Sequence, residues 1–256
     1  MAKIRRPQIF ITALFIAIAV GTVAIYYLIP RSSRPTIDDI WVVNLDKATD
    51  RLDAMMEKQR FLPKPIQRWP ATLGREESRD SAAADGVDPV ITKSSDKETM
   101  KRTNKVTRIG GEVGCWLSHK RLLKHLNTLN VGPDFGHLIC EDDIVVPTDF
   151  ISKWNTTRQH VPCDWDVVYI GAGGPLGDRI NESVLRWKSE AKLANLGTWC
   201  YLVRHRALPK ILEKMRYMFA PVDVQYYRTF GDLKVYIMEP SLLKPNESYE
   251  STTDRH

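Results

Sequence analysis

The stretch HLICEDDIVVP, residues 137–147, joins an apolar run directly to three acids. The apolar run is typical of a buried strand, and Glu141, Asp142 and Asp143 follow where that strand would end. Adjacent carboxylates repel one another, and each loses hydration near a folded core. A hard divalent ion such as Mg²⁺ or Mn²⁺ prefers oxygen ligands and would remove this conflict. On spacing alone, an acidic solvated turn or a helix N-terminus explains the cluster equally well.

The composition indicates a globular protein. Of the 256 residues, 43% are apolar and 27% are charged, as in ordinary globular domains. The net charge of +6 comes from scattered Lys and Arg, so nucleic-acid binding is not expected. A modest basic excess suits a protein that meets anionic phosphates or a membrane surface. The sequence gives no indication of the oligomeric state.

Residues 8–29 carry no charge and predict a membrane anchor. As a helix, this segment would extend about 33 Å, which matches a hydrocarbon core of about 30 Å. Basic residues before it favour a cytoplasmic N-terminus, which would make the chain a single-pass type II membrane protein. A cleaved signal peptide is the alternative, but its apolar region would usually be shorter. The expected parts are a cytoplasmic tail (1–7), a transmembrane signal anchor (8–29), a linker (30–38) and a folded domain (39–256).

Two residue patterns bear on the compartment of the folded domain. Its three N-x-[ST] sequons become usable for glycosylation if it faces the lumen of the Golgi or endoplasmic reticulum of a eukaryotic cell. They begin at Asn155, Asn181 and Asn246. The four cysteines include no C-x-x-C pair, so a zinc site is not expected, and they allow one disulfide whose partners the sequence does not choose. They are Cys115, Cys140, Cys163 and Cys200.

Alternating strand and helix patterns predict an α/β fold. Apolar runs typical of buried strands begin near residues 40, 66, 137, 165, 198 and 232. Between them, apolar residues recur at helical spacing. Residues 46–59 place Leu52, Met55 and Met56 on one face, and a second helix, over residues 207–219, has an apolar face that ends at Phe219. This order predicts a mostly parallel sheet covered by helices.

Residues 73–107 interrupt the alternation. They are polar with few large apolar groups, which predicts a long loop or a partly disordered insertion. The helix after them is expected to begin near Glu112. Its apolar stripe contains Trp116 and Leu123 and also His119, so a core histidine is as well supported as a ligand at that position.

Six segments occur in an order that resembles glycosyltransferase family 25. They are IWVVNLDKATDR, GEVGCWLSHKRLL, LICEDDIVV, WDVVYIGAG, GTWCYLVRHRAL and PVDVQYY. The family includes bacterial lipooligosaccharide galactosyltransferases and collagen hydroxylysine galactosyltransferases, and the specific part of the resemblance is GE-x-GC-x-LSH followed by EDD. The resemblance implies a GT-A-type nucleotide-sugar-binding fold, a UDP-sugar donor, Mn²⁺ or Mg²⁺, and inversion at the anomeric carbon.

The resemblance also implies roles for individual residues. Glu141, Asp142 and Asp143 match the acidic motif of the family and are expected to hold the metal. Of these, Asp143 is the first candidate for direct contact with the metal, and Asp142 would help to position the ribose or the metal. For Glu141, a structural role is the alternative.

Two further segments are expected to bind the nucleotide sugar. Asn44, Asp46 and Arg51 follow the first strand, and Arg51 has the reach to contact a phosphate or a carboxylate. A surface ion pair between Asp46 and Arg51 is the alternative. The GE-x-GC-x-LSH motif adds Glu112, Ser118 and His119, although Ser118 could equally well bond a backbone carbonyl.

Inversion by direct displacement needs a general base for the acceptor hydroxyl. Asp223 in PVDVQYY is the first candidate, because the neighbouring Tyr226 and Tyr227 would partly desolvate it. Asp166 is the second, although an Asp at the start of a strand often has a structural role. GAGGPLG, residues 171–177, lacks the G-x-G-x-x-G spacing, so a dinucleotide site is not expected.

The function predicted from these features is metal-dependent, inverting transfer of a sugar. The donor suggested by the resemblance is UDP-galactose, and the acceptor is a hydroxyl of a glycan, a lipid-linked saccharide or a hydroxylated peptide. The alternative is a non-catalytic binding or chaperone-like protein that retains the fold. A metal-dependent phosphoesterase would usually need more His and Asp ligands than the sequence offers.

Overall fold

The β-strands form one large sheet and one small sheet. The computed structural model describes residues 33–88, 105–173, 177–188 and 197–249. In these ranges, eight strands join in the order β2-β1-β3-β8-β5-β9-β7-β6, and β4 pairs with β10 separately. The strands are β1 (Asp39–Asn44), β2 (Ile66–Pro70), β3 (Gly136–Glu141), β4 (Ile144–Val145), β5 (Val167–Gly171), β6 (Gly177–Asn181), β7 (Val184–Trp187), β8 (Cys200–Arg204), β9 (Val235–Met238) and β10 (Lys244–Pro245).

The large sheet is mostly parallel, as the sequence predicts. β1 is parallel to β2 and to β3, and β5 is parallel to β9. β8 is antiparallel to both β3 and β5, and β7 is antiparallel to β9 and β6. Only β7 and β8 therefore oppose the common direction among the described strands of the large sheet, and the mixed α/β architecture fits a GT-A-like fold.

Helices cover both faces of the large sheet. Along β1, Ile40 and Val42 face one apolar core, whereas Trp41 and Val43 face the other, because successive side chains of a strand point to opposite faces. The second helix predicted from the sequence corresponds to α5 in this set. The helices are α1 (Thr49–Lys58), α2 (Arg79–Ala84), α3 (Lys105–Leu126), α4 (Phe150–Thr157), α5 (Leu208–Lys214) and α6 (Val222–Thr229), with 3₁₀ turns at Gln59–Phe61, Arg158–His160, His205–Ala207 and Phe230–Asp232.

The two faces carry different helices. The core that contains Trp41 also contains Trp116 of α3, Ile211 of α5 and Tyr226 of α6. The opposite core contains Met55 of α1 and Phe150 and Trp154 of α4. The described part of the chain therefore has three layers, with helices on both faces of the sheet. Because the central strands are covered on both faces, their sequences are continuous apolar runs.

The prediction of a long loop over residues 73–107 is wrong in its first part. Residues 79–84 form α2, whose first turn is capped by the Ser78 hydroxyl, 3.2 Å from the Ser81 amide nitrogen. Arg121 of α3 holds this region in place through Glu77, at 2.7 Å, and Asp85, at 2.8 Å. Ion pairs of this kind join residues far apart in sequence, so local composition does not reveal them. Residues 89–104 lie outside the described ranges.

Helix α3 begins at Lys105 rather than near Glu112. Gly110 and Gly114 lie inside this helix and allow the segment around Gly74 to approach it closely. A Cβ atom on Gly114 would lie 2.6 Å from the carbonyl oxygen of Thr72, and one on Gly74 would lie 2.1 Å from that of Gly110. Both distances are shorter than any side chain tolerates, so these glycines fix how closely the loop after β2 packs on α3.

Other details of the helix predictions need correction. Helix α5 ends at Lys214, and Phe219, expected on its apolar face, is exposed. Met56 of α1 is also exposed, while Met55 is buried. The β6–β7 hairpin and helix α6 were not predicted.

The four cysteines divide into one disulfide and two free thiols. Cys140 of β3 and Cys200 of β8 form a disulfide, and Cys115 and Cys163 are free thiols. The predicted anchor, residues 8–29, lies outside the described ranges. Among the described helices, none has the length and apolar character needed to cross a bilayer.

Candidate active site

The acidic cluster lies at the carboxyl ends of two neighbouring strands. Val43 of β1 pairs with Glu141 of β3 in parallel register, so the residues that follow the two strands meet at one edge of the sheet. Asn44 and Asp46 come from the β1 side, and Asp142 and Asp143 come from the β3 side. Ligands of open α/β sheets bind beyond this edge.

Asp142 is held by two partners from the β1 side. Arg51 of α1 donates to its Oδ1 at 3.2 Å, and Asn44 Nδ2 donates to its Oδ2 at 2.7 Å. Both Arg51 and Asp142 are buried. Burial raises the pKa of Asp142, and the hydrogen bond from Asn44 and the charge of Arg51 act against that rise without cancelling it. Arg51 therefore contacts a carboxylate, one of the two roles considered for it.

The alternative pairing of Asp46 with Arg51 does not form. Asp46, which is largely exposed, contacts Arg68 of β2 instead. Arg68 also donates to Asn44 Oδ1 at 2.9 Å. The Asn44 side chain is therefore hydrogen-bonded to both Arg68 and Asp142, and it holds Asp142 in place from the β1 side.

Glu141 faces away from Asp142. Its Oε1 accepts a hydrogen bond from the Thr198 hydroxyl and lies 3.8 Å from His119 Nε2. Its backbone N–H donates to the Trp199 carbonyl at 2.9 Å. Glu141 is therefore directed toward the segment before β8.

Asp143 differs from its two neighbours because its buried Oδ1 has no hydrogen-bond partner among the described residues. Burial, together with the charges of Glu141 and Asp142, raises the pKa of Asp143 to about 7. A half-buried carboxylate that has one buried oxygen without a partner and lies beside two other acids is a ligand that a hard divalent cation would stabilise. The residues present thus fit Mg²⁺ or Mn²⁺.

Helix α3 contributes the three residues of the GE-x-GC-x-LSH motif. The Ser118 hydroxyl donates to the Gly114 carbonyl at 2.6 Å and accepts from the Thr72 amide at 2.8 Å, so it bonds backbone groups. His119 is fully buried, with Nδ1 at 2.8 Å from the Tyr201 hydroxyl. Glu112 is partly exposed and lines a cleft together with Glu141 and Asp143.

Two clefts meet at the acids. Cleft A has an inner part of about 90 Å³ and an outer part of about 370 Å³, and Arg51 and Leu73 line both parts. Cleft B, of about 490 Å³, lies on the other side and is bordered by Glu112 and Trp199. Volumes of this size accommodate small ligands. The inner part of cleft A and cleft B share Cys115, Glu141 and Asp143.

The two candidate bases lie at opposite ends of the strands: Asp223 near their carboxyl ends and Asp166 at the amino end of β5. Asp223, in the first turn of α6, lines cleft B; its Oδ1 accepts from the Val224 amide at 2.8 Å and its Oδ2 from the Gly197 amide at 3.3 Å. Asp166 precedes β5 and therefore lies at the amino end of that strand, where it accepts from the Lys234 amide at 2.9 Å. The structure thus brings Asp223 together with Asp143 and separates Asp166 from them.

Comparison with known proteins identifies the family. The model for "Glycosyltransferase family 25 (LPS biosynthesis protein)" matches residues 37–225. The chain belongs to glycosyltransferase family 25. The matched region begins just before β1 and ends in α6, so it contains every candidate residue named above and confirms the resemblance seen in the sequence.

Two curated relatives of this family match the chain. "Procollagen galactosyltransferase 1" of Danio rerio is 26% identical over 246 residues, which are 85% of this chain and 38% of the relative. "Glycosyltransferase 25 family member" of Drosophila pseudoobscura pseudoobscura is 25% identical over 173 residues, 63% of this chain and 24% of the relative. The chain spans about two fifths or less of the length of these relatives.

Several residues of this family 25 site were missed from the sequence. Thr198 contacts Glu141, and Arg68 supports Asn44. The Arg51 guanidinium lies 4.9 Å from the ring centre of Tyr249, which also lines cleft B. Tyr249 had no signal in the polar C-terminal tail, whereas Cys115 had one, since it stands four residues before His119 within the family motif.

The ion pair between Arg51 and Asp142 yields a prediction on stability. Arg51→Met should lower the free energy of unfolding by about 3–5 kcal/mol, because it leaves a buried carboxylate without its cation. Chemical denaturation of the purified domain measures the loss. Adding Asp142→Asn should restore part of it, since a neutral amide needs no counter-ion.

A matched control is the exposed pair between Lys153 of α4 and Asp149, the residue that precedes this helix. Lys153→Met removes a charge of the same sign from a helix and should change the unfolding free energy by less than about 1 kcal/mol. Equal losses in Arg51→Met and Lys153→Met would contradict a stabilising role for the buried pair.

Proposed function

We propose that the chain transfers a sugar from a nucleotide-diphosphate donor to an acceptor hydroxyl. The observation that carries this proposal is Asp143, a half-buried carboxylate at the junction of two clefts, whose buried Oδ1 has no hydrogen-bond partner among the described residues. A transferase needs to bring two substrates to one reacting centre, and cleft A and cleft B both open onto Asp143. Family membership supports the same conclusion.

Cleft A is the proposed donor side. Arg51 lines both parts of this cleft, at the edge of the sheet where a diphosphate would lie, and Asn44 at the end of β1 and Asp46 just after it lie at the same edge. Asp143 would hold the divalent ion directly. Asp142 is kept in position by Arg51 and Asn44, so it orients the acidic turn. When bound, the ion supplies positive charge that offsets the charge growing on the departing diphosphate.

Cleft B is the proposed acceptor side, with Asp223 as the general base. In the reaction, the acceptor oxygen forms a bond to the anomeric carbon while its proton passes to the Asp223 carboxylate. The bond from that carbon to the diphosphate oxygen breaks, and the nucleoside diphosphate leaves with the electron pair. Because the acceptor attacks from the side opposite the leaving group, the configuration inverts. The Gly197 and Val224 amides orient Asp223 for this role.

UDP-galactose is the proposed donor. One curated relative bears the name procollagen galactosyltransferase, and the family resemblance of the sequence agrees with that donor. The acceptor is proposed as a hydroxyl of a glycan, a lipid-linked saccharide or a hydroxylated peptide, since cleft B is open and partly polar. A screen of UDP-sugars distinguishes the donors directly.

The proposed activity predicts UDP release that depends on both a metal and Asp223. Wild-type protein with UDP-galactose, Mn²⁺ and an acceptor mixture should release UDP, and EDTA should abolish the release. Asp223→Asn should lower kcat by roughly 10²–10⁴-fold, because the acceptor proton loses its base. Asp166→Asn is the matched control and should remain close to wild type, since its amide oxygen still accepts from Lys234.

Circular dichroism and thermal unfolding confirm that each variant is folded. An Asp223→Asn protein that is folded and fully active would remove Asp223 from the mechanism. If no UDP-sugar releases UDP with any metal, the non-catalytic alternative is correct.

The raised pKa of Asp143 predicts the pH dependence of metal binding. Protons compete with the ion for this carboxylate below about pH 7, so the affinity for Mn²⁺ should fall by about tenfold for each pH unit lower. Above that pH the carboxylate is charged and the affinity should level off. The electron paramagnetic resonance signal of free Mn²⁺ measures the binding.

Asp143→Asn is the control for this titration. It should bind Mn²⁺ much more weakly and lose the pH dependence. If the variant keeps wild-type affinity and the same slope, another group holds the ion.

We also propose that residues 8–29 anchor the chain in a membrane, with the folded domain on the lumenal side. The support is the uncharged segment and its basic flank alone. Expressed full-length protein should stay with membranes through alkaline carbonate extraction, and a chain starting at Arg34 should be released. Full-length protein found in the supernatant would contradict the anchor.

A further inference from the structure

Beside the carboxylate site, a second cluster combines sulfur, nitrogen and oxygen donors. The Sγ of Cys115, a ring nitrogen of His119 and a carboxylate oxygen of Glu141 all lie within 4.8 Å of one another. The cluster lines the inner part of cleft A, and Cys115 and Glu141 also line cleft B. An ion can therefore reach it from the surface.

The fold places these three side chains together by two simple relations. Cys115 and His119 are four residues apart on α3, which puts them on the same face, one turn apart. Glu141 ends β3, the strand beneath that face. A single buried histidine would ordinarily be a core residue, but here two other ligand types converge on it.

A chain of hydrogen bonds connects His119 to Met215 and favours one tautomer of its neutral ring. The Tyr226 hydroxyl donates to Met215 Sδ at 3.3 Å, so its oxygen is free to accept from the Tyr201 hydroxyl at 3.4 Å. The Tyr201 oxygen in turn accepts from His119 Nδ1 at 2.8 Å. Each hydroxyl has one proton to donate, so in a neutral ring this order places the proton on Nδ1 and leaves a lone pair on Nε2.

The Nε2 atom of His119 is buried and has no hydrogen-bond partner among the described residues. It faces Glu141 Oε1 at 3.8 Å, which is too long for a hydrogen bond. An unprotonated ring nitrogen and a carboxylate that face each other in a buried place are both electron-pair donors, and a cation between them, either a metal ion or a proton on Nε2, would stabilise them. A zinc ligand would use Nε2 in this way, with the other ring nitrogen bonded to a neighbouring group.

We propose that Cys115, His119 and Glu141 form a second metal site that binds Zn²⁺. Thiolate, imidazole and carboxylate are the ligands of zinc, whereas Mg²⁺ and Mn²⁺ favour oxygen. Zinc bonds of about 2.0–2.3 Å would draw the three ligand atoms closer by small side-chain movements. Three protein ligands leave the fourth position open toward the clefts. The absence of a C-x-x-C pair therefore does not exclude zinc in this chain.

Cobalt substitution tests the site without any sugar donor. Co²⁺ added to the purified wild-type protein should give the intense absorption of a tetrahedral ion and a thiolate-to-cobalt charge-transfer band, and Zn²⁺ should remove both. Cys115→Ser should lose the charge-transfer band and weaken Zn²⁺ binding by at least about tenfold. Glu141→Gln should weaken Zn²⁺ binding as well.

Two controls separate this site from other sites. Cys163→Ser removes the other free thiol, which belongs to no such cluster among the described residues, and it should keep the full cobalt spectrum. Asp143→Asn should keep the charge-transfer band, because the carboxylate site contributes no sulfur. Circular dichroism without metal verifies that each variant is folded.

Three results would overturn the proposal: a wild-type protein without a charge-transfer band, a band that survives in Cys115→Ser, or a band that is lost in Cys163→Ser. The first of these is the outcome expected if a proton on Nε2 pairs His119 with Glu141 and excludes metal. Because no donor or acceptor is present, these results stand apart from the UDP-release assay, and an inactive transferase would leave them unchanged.

Discussion

Arg51 and Asp142 meet in a buried ion pair that ties helix α1 to the end of strand β3. Removing one partner of such a pair leaves an uncompensated charge, so the pair strongly favours one geometry of the acidic turn. Asn44 adds a hydrogen bond at 2.7 Å from the end of β1. The neighbouring acids, Glu141 and Asp143, then have their directions set by the turn that Asp142 fixes. The candidate site depends on this constraint more than on any single ligand.

The three consecutive acids consequently occupy three different environments. Asp142 has a permanent counter-ion, and Glu141 has Thr198 and His119 as neighbours. Only Asp143 keeps a buried oxygen atom without a partner in the described chain. The sequence predicted a divalent ion at these acids, with Asp143 as its first ligand, Asp142 positioning the ribose or the metal, and a structural role as the alternative for Glu141. The three environments agree with such a division of roles, because groups with different surroundings bind different partners.

The strands and the location of the acids could be predicted, since both follow from local patterns. Continuous apolar runs identify strands that are covered on both faces, and β1 and β3 coincide with the apolar runs near residues 40 and 137. Three other features could not be predicted from local patterns: the start of α3, the helix within residues 73–88 and the partner of Arg51. Each of these depends on a contact between distant segments, such as Thr72 against Gly114 or Arg121 against Glu77, and such contacts override local propensity. Asp223 was found by motif, but its position in the first turn of α6 was not expected.

The acidic turn is also fixed from the β8 side, and this bears on how two substrates would meet. The Glu141 amide donates to the Trp199 carbonyl, Thr198 donates to the Glu141 side chain, and the disulfide between Cys140 and Cys200 joins the two strands. Trp199 and Asp223 border cleft B, whereas Arg51 borders cleft A. Each cleft therefore has one wall that is bonded to the same turn. Groups held in this way need little reorganisation when substrates bind, which is how a protein gains rate from positioning rather than from new contacts. The site's rigidity on both sides of Asp143 thus follows from the sheet, because β1 and β8 are the two strands that flank β3.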